Sequence, residues 1–428
     1  MKIFINPKPE KWEELLRRPY TTTTEIENNV QIIFNEVQHK GDIAVKKYTS
    51  FFDKVKLDRL DLSLQEADEL STKLSPELKK AILQAYTNIY KFHKAQEAKP
   101  FVVETQPGIT CWLEKKPIAK VGLYIPGGSA PLFSTVLMLG VPAQLAGCQE
   151  IVLCTPPNQN KSIHPAIQFA AKLCGITRIV KVGGIQAIAA LTFGTETIPK
   201  VYKIFGPGNQ FVTQAKLKAF QNGIAIDMPA GPSELMIVAD NTANSSFVAA
   251  DLLSQAEHGP DSQTLLVSNS NDFIQEVKNE INRQLASLNR TNIIRKALQH
   301  TKFIYLESPQ ASLNLINVYA PEHLIIARKD KAFFKEGVQN AGSVFLGNYS
   351  PESVGDYATG TNHTLPTNGF AKQYSGVCLD SFLKSTSFQE LSSEGLQNIG
   401  NTVELMAQAE GLEAHKNAVS IRLNKLKS

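Results

Sequence analysis

Apolar and polar positions divide the chain into three stretches. Residues 1 to about 100 hold charge-rich segments of helical periodicity, such as Glu10–Leu16 and Ala81–Tyr86, and read as helical scaffolding. From residue 117 short β-branched runs take over: Ile118–Ile125, Glu150–Cys154, Arg178–Val182 and Val201–Phe205. Each is followed by ten or more residues of helical pattern, the signature of βαβ units and of a parallel sheet covered on both faces. A second set comprises Ser233–Ala239, Thr264–Val267, Phe303–Leu306, His323–Ala327 and Ser343–Leu346. Its element order resembles that of the first, as a duplication would leave it, without strong identity between them. From about residue 380 the strand signals vanish and helices are expected, with Gly411 as a C-cap and His415 early in the last helix. About fifty residues of helix bury little core alone, so this tail is expected to pack on another surface, such as a second subunit.

Composition narrows the function classes. A chain of 428 residues has room for two or three domains, and its net charge of +4 is mild. No basic cluster interleaved with aromatics appears, so nucleic acid is not an expected partner. The N-terminus has no signal-peptide core and no later run is long enough to span a membrane, which predicts a cytoplasmic protein. Five cysteines, Cys111, Cys148, Cys154, Cys174 and Cys378, form no Cys-x-x-Cys pair and read as reduced thiols. Cys148 and Cys154 have the chemistry to form thiohemiacetals, but neither lies near a His or a cationic cluster, so core packing is preferred.

Glycines gather at the ends of the first set of strands, in Tyr124–Gly128, Val182–Gln186 and Gly206–Asn209. In such sheets ligands bind beyond the carboxyl ends of the strands, where glycine lets backbone amides approach a phosphate. The chain thus suggests a nucleotide site without a Gly-x-Gly-x-x-Gly or Gly-Lys-Ser/Thr fingerprint. Turn chemistry would explain any one of these glycines.

Candidate chemistry lies in the second half. Within Asp251–Asp261, Gln255 and His258 are three apart on a helix that Gly259 and Pro260 end, which places both side chains in its last turn. A zinc site needs donors that a rigid fold brings together, and Gln255, His258, Asp356 and His415 form such a set. Each also has a plainer reading: His258 against terminal carbonyls, Asp356 in a glycine-flanked turn, His415 at a helix start. Glu322 and His323, next to the Pro321 turn, suit general acid and base work if both project into one cleft; a surface ion pair is the alternative. His39 and His93, among polar neighbours, are expected to be solvated.

The motifs Val121–Gly128, Val182–Leu191, Ile204–Asn209, Asp227–Glu234, Gln255–Pro260, Tyr319–Leu324, Gly355–Thr367 and Ala409–Ala418 together resemble the histidinol dehydrogenase family, from about residue 115 to the end. The resemblance implies oxidation of L-histidinol through an aldehyde to L-histidine with two NAD reduced in turn, and a homodimer whose tails exchange. It assigns zinc to Gln255, His258, Asp356 and His415, with the metal positioning the substrate. It makes His323 the base and has Glu322 activate water. Ser233, His363 and Glu410 match substrate contacts, as do His323 and the zinc ligands, and Tyr124, Gln186 and Asn209 match NAD contacts.

The expected fold is α/β, with two doubly wound, mainly parallel sheet domains, incomplete Rossmann-like, and helical N- and C-terminal segments. The expected divisions are an arm at 1–20, a main domain at 21–117 and 234–375, an NAD-contacting domain at 118–233 and a tail at 376–428. A zinc hydrolase is the first rival, disfavoured by the glycine-ended sheet. A binding protein that keeps the fold without the chemistry is the second, and would be expected to lose one of Glu322, His323 or the ligand set.

Overall fold

Two parallel sheets organise the larger of two units, residues 1–96 and 118–382. The computed structural model describes the whole chain except residues 20–23, 64, 67–71, 128–129 and 230. The first sheet contains β5 (Lys120–Tyr124), β6 (Glu150–Cys154), β7 (Arg178–Val180), β8 (Lys203–Phe205) and β9 (Ala225–Ile226) in the order β7-β6-β5-β8-β9, all parallel. The short strand β2 (Asp61–Leu62) joins the β7 edge antiparallel. The second contains β10 (Glu234–Ala239), β11 (Gln263–Ser268), β12 (Lys302–Tyr305), β13 (His323–Ala327) and β14 (Ser343–Leu346) in the order β12-β11-β10-β13-β14, with β1 (Lys2–Ile5) added parallel beside β12. Counted within its own set, each sheet has the order 3-2-1-4-5 and gains an N-terminal strand on the same edge. The element order shared in the sequence is therefore a shared topology.

The first sheet is buried on both faces because its strands are apolar at nearly every position. Val121, Leu123, Ile151, Leu153 and Phe205 point into one core with the helices Pro76–Lys94, Phe133–Ala146 and Pro165–Leu173. Tyr124, Val152, Cys154, Val180 and Ile204 point into another with the helices Thr24–Lys40, Asp42–Phe52, Gly184–Phe193 and Gln210–Gln221. Successive residues of β5 and β6 thus serve opposite cores, the period-2 rule at work. The anticipated divisions grouped 21–117 with 234–375, but the apolar faces of the helices between 24 and 94 pack on the first sheet. The expected join at 20/21, like Gly128 and Ala230 of the motifs, lies outside the described residues.

The second unit comprises residues 97–117 and 383–428. Here β3 (Val102–Gln106), β4 (Ile109–Pro117) and β15 (Leu383–Leu391) form an antiparallel sheet, followed by the helices Ser393–Ala409 and Glu413–Lys427. The strand at 383–391 corrects the expectation of helices from residue 380. Its sequence, Leu-Lys-Ser-Thr-Ser-Phe-Gln-Glu-Leu, is mostly exposed and carries almost no alternation, so its strand character comes from the ladder with β4. Phe388 stacks on Trp112 directly across that ladder, ring centres 5.3 Å apart. Gly411, at φ +73°, forms the anticipated turn between the last two helices. Among the described residues no helix is long and apolar enough to cross a membrane.

Candidate active site

The two sheets contribute opposite ends. The first presents the carboxyl ends of its strands, as its glycines suggested, whereas the second presents residues at the amino ends of β10 and β13: Ser233 and Glu234, and Glu322 and His323. The helix Ser245–Ala256 follows β10 and runs back to that same end, carrying Gln255 in its last turn. His258 lies past the Glu257 cap instead of in the helix, and its amide bonds Gln255 O at 3.3 Å. The short helix Glu352–Tyr357 adds Glu352 and Asp356 four residues apart, on one face.

His258, Glu322, His323 and Asp356 line a cavity of about 390 Å³ that also touches Thr135, Asn209, Ser233 and His363, whereas Glu234, Gln255 and Glu352 do not line it and are buried. His323 is buried at its centre: Nδ1 donates to Glu234 O at 3.3 Å and lies 3.6 Å from both Glu322 Oε2 and Glu352 Oε1, while Nε2 lies 3.5 Å from Asp356 Oδ1. Burial alone would lower its pKa, but the carboxylates of Glu352, Glu322 and Asp356 outweigh it and raise the imidazole to about 10. Burial pushes the Glu322 carboxyl up to about 8 against the pull of His323 and of the Glu234 amide, which donates to Glu322 Oε2 at 2.8 Å. Burial raises the Glu352 carboxyl well above the usual carboxylate range. Asp356 remains below the usual range: burial would raise it, but His323, His363 and His258 outweigh that.

Supports in the cavity wall and behind it hold this geometry. Arg18, from the N-terminal arm, grips Glu234 through two nitrogens at 2.5 and 2.8 Å and donates to Tyr319 O at 2.8 Å. His363 Nδ1 donates to Asp356 O at 2.8 Å, and its Nε2 lies 3.1 Å from Thr135 Oγ1 on a first-sheet helix. His93, expected to be solvated, is fully buried: its Nδ1 donates to Ile89 O at 2.9 Å, and its Nε2 accepts from Asn362, next to His363, at 3.4 Å. The buried Lys216 ties Asp227 to Gly206 O, closing the Gly206–Asn209 turn. Neither Arg18 nor Lys216 has a short-range sequence signal, because each acts on a residue distant in the chain or buried only by the fold. Glu352 was legible as an acid four positions before Asp356 and was missed.

Among the described residues, a ring nitrogen of His258 and carboxylate oxygens of Glu352 and Asp356 could hold a metal ion, all within 4.8 Å of one another. His258 is 39% exposed and Asp356 13%, so the group opens to the cavity. With its amide turned to satisfy its neighbours, Gln255 donates to Glu352 Oε1 at 2.8 Å and Glu234 O at 3.3 Å. Imidazole nitrogen with oxygen donors suits zinc, and the orphaned Glu352 Oε2 adds unbalanced acceptor capacity. Glu410 and His415 belong to the second unit, at the end of one tail helix and in the first turn of the next, and are exposed within the chain.

A larger cavity of about 900 Å³ lies at the carboxyl end of the first sheet, where the strand order reverses between β5 and β8. Pro126, Gly127, Ala130 and Asn209 line both cavities, so the two adjoin. Tyr124 reaches it and accepts from the Gly184 amide at 3.2 Å; Asn209 caps the helix Gln210–Gln221 through its carbonyl oxygen. Gln186 is not a lining residue: it is fully buried, and both its amide atoms lack partners. The volume and the switch-point position fit a dinucleotide. The glycines also have neighbours of their own. A Cβ at Gly206 would sit 2.1 Å from Tyr124 O, and one at Gly127 1.9 Å from Pro156 Cγ, so close chain packing requires them whatever binds there.

Cys154 and Cys174 are buried, and burial pushes the half-buried Cys148 thiol up to about 12, in agreement with core packing.

Comparison with known proteins gives the family. The family model described as histidinol dehydrogenase matches residues 16–423. Histidinol dehydrogenase of Bacteroides thetaiotaomicron is 55% identical over 427 residues, covering 100% of both chains, and that of Vibrio cholerae is 51% identical, covering 97% and 96%. The crystal structure of histidinol dehydrogenase from Elizabethkingia anophelis superposes with a TM-score of 0.97 at 52% identity, covering 100% of this chain and 99% of that one. An acetylating aldehyde dehydrogenase from Geobacillus thermoglucosidasius, at 13% identity and a TM-score of 0.51 over 89% and 93% of the chains, shares the fold alone. By its family model and by identities above half along its length, this chain belongs to the histidinol dehydrogenase family.

Proposed function

We propose that the protein oxidises L-histidinol through L-histidinal to L-histidine in two NAD-dependent steps at a zinc site, the last steps of histidine biosynthesis. The observation that carries this reading is the adjoining pair of cavities. One gathers His258, Glu322, His323 and Asp356, the other suits a dinucleotide, and four residues line both. A hydrolase has no use for the second.

Gln255, His258 and Asp356 would hold zinc, and Tyr124 and Asn209, which line the larger cavity, the dinucleotide; Gln186, which is fully buried and not in that lining, would touch it only if its side chain turned outward. When bound, zinc would anchor the substrate's amino and imidazole nitrogens, and NAD would accept hydride in each step. His323 Nδ1 is engaged by Glu234 O, which leaves Nε2, on the Asp356 side, to take the alcohol proton when the imidazole is neutral; because the surrounding carboxylates raise it to about 10, that form gains population as pH rises, and alcohol oxidation should rise with it. The carboxylates around His323 stabilise the imidazolium that forms. Glu322, its carboxyl raised to about 8, accepts a proton from the water that attacks the aldehyde in its ionised form, which predominates above that pH. Ser233 and His363, both lining the smaller cavity, orient the substrate. Glu410 and His415 would reach the site from the tail of a second copy. In support of a dimer, Leu405, Met406 and Ile421 on the tail helices are exposed apolar residues that a lone chain leaves uncovered.

The test is NADH formation from L-histidinol and NAD by the purified protein, before and after chelation. Activity lost with chelator and restored by zinc supports the substrate and the metal together. A folded, zinc-replete protein that forms no NADH would overturn the substrate.

A further inference from the structure

In doubly wound sheets that bind NAD, an acidic residue at the end of the second strand holds the ribose hydroxyls of the adenosine half. Here that strand is β6, and the residues after Cys154 are Thr155, Pro156, Pro157, Asn158, Gln159 and Asn160, none of them acidic. The chain nevertheless brings a carboxylate to this place from elsewhere. Asp53 ends the helix Asp42–Phe52 and lines the larger cavity beside these loop residues, and Gln159 Nε2 donates to its backbone oxygen at 3.4 Å. We propose that Asp53 reads the adenosine ribose diol of the dinucleotide and selects NAD over NADP.

Three observations carry this inference, which rests on the NAD-dependent reading above. Asp53 is the only acid among the described residues that line the cavity. Its Oδ2 is buried with no hydrogen-bond partner, an unbalanced acceptor in the pocket wall. The same lining includes no lysine or arginine, so a 2′-phosphate would meet a carboxylate and no cation. A vicinal diol, by contrast, offers two donors to a two-oxygen acceptor, and hydrogen bonds to a charged group are the strong kind. Burial raises the Asp53 carboxyl to about 6, which leaves it ionised at neutral pH. The fingerprint is invisible in sequence because its acid comes from before the first strand of the sheet.

The experiment is calorimetric titration of the full-length, zinc-loaded protein and its Asp53→Asn variant with NAD, NADP and NAD lacking the adenosine 2′-hydroxyl. The wild type is expected to bind NAD about 100-fold tighter than NADP and to lose about tenfold with the deoxy analogue. Asp53→Asn should weaken NAD about tenfold, lose nothing further with the deoxy analogue and narrow the NAD-to-NADP ratio. In turnover the loss should appear in the KM for NAD, with the KM for L-histidinol unmoved. Equal NAD affinity in variant and wild type, or equal losses with the analogue in both, would overturn the assignment. If the variant does not fold, the wild type alone decides: indifference to the missing hydroxyl removes the proposal. A protein that binds NAD with this pattern but leaves L-histidinol unoxidised would sink the substrate reading and leave Asp53 in place. One that binds no NAD would sink both.

Discussion

Asp356 stands between His323 and His258: its Oδ1 lies 3.5 Å from His323 Nε2, and its Oδ2 lies 3.9 Å from His258 Nε2. One carboxylate thus links the proposed base to the proposed metal ligand, and its charge serves both. Asp356→Asn keeps the shape and removes the charge. It should lower bound zinc, read by elemental analysis, and reduce kcat/KM by about 100-fold or more, the scale at which ligand and orienting groups act. Full zinc content with wild-type turnover would take Asp356 out of the site.

Glu322 and His323 are assigned to different half-reactions, so their variants should separate. Glu322→Gln is expected to spare oxidation of L-histidinol to the aldehyde and to slow oxidation of supplied L-histidinal by about 100-fold or more. Rapid-mixing measurements of NADH from each substrate decide it. Equal loss in both halves contradicts the role given to Glu322.

Arg18 acts on the site through Glu234. Its guanidinium holds the Glu234 carboxylate by two hydrogen bonds, and the Glu234 amide holds Glu322 at 2.8 Å. The pair is nearly buried, with side-chain exposures of 16% and 3%, so Arg18→Met leaves an unpaired carboxylate inside the protein. A destabilisation of about 3 kcal/mol is expected in denaturant unfolding. The surviving folded enzyme should lose more aldehyde oxidation than alcohol oxidation, as Glu322 loosens. A variant as stable as the wild type would show that the ion pair is dispensable.

Asp53 gives a pH-dependent stability with a definite sign. Its folded pKa, about 6, lies above the usual carboxylate value of about 4, so between those pH values the native state binds more protons than the unfolded one. Its contribution to stability therefore falls as pH rises from about 4 to 6 and stays low above that. Asp53→Asn, free of this cost, should be more stable than the wild type at pH 8, by about 1 kcal/mol after discounting for partial exposure, and similar to it at pH 4. Unfolding midpoints at the two pH values test this; a wild type that gains on the variant as pH rises would reverse the sign.

The order of apolar runs determined a good deal. Every strand of the two parallel sheets from β5 to β8 and from β10 to β14 either lies within a β-branched run or overruns one by a single residue at one end or both, because strands buried on both faces must be largely apolar. The polar strand Leu383–Leu391 had no such pattern, since its partner β4 and not a core decides its state. The local motifs also singled out His258, Glu322, His323 and Asp356, which the fold brings to one cavity, because acids and imidazoles beside tight turns are visible in a linear reading. Convergence is a different matter. That the second sheet offers its amino ends to the carboxyl ends of the first, that Glu352 joins Asp356 and His258, that His93 is buried under Asn362, and that Asp53 meets the loop after β6 are relations between residues up to hundreds of positions apart. Sequence periodicity reports which face of an element is apolar. Which faces meet is set by packing in three dimensions, and only the tertiary structure decided that.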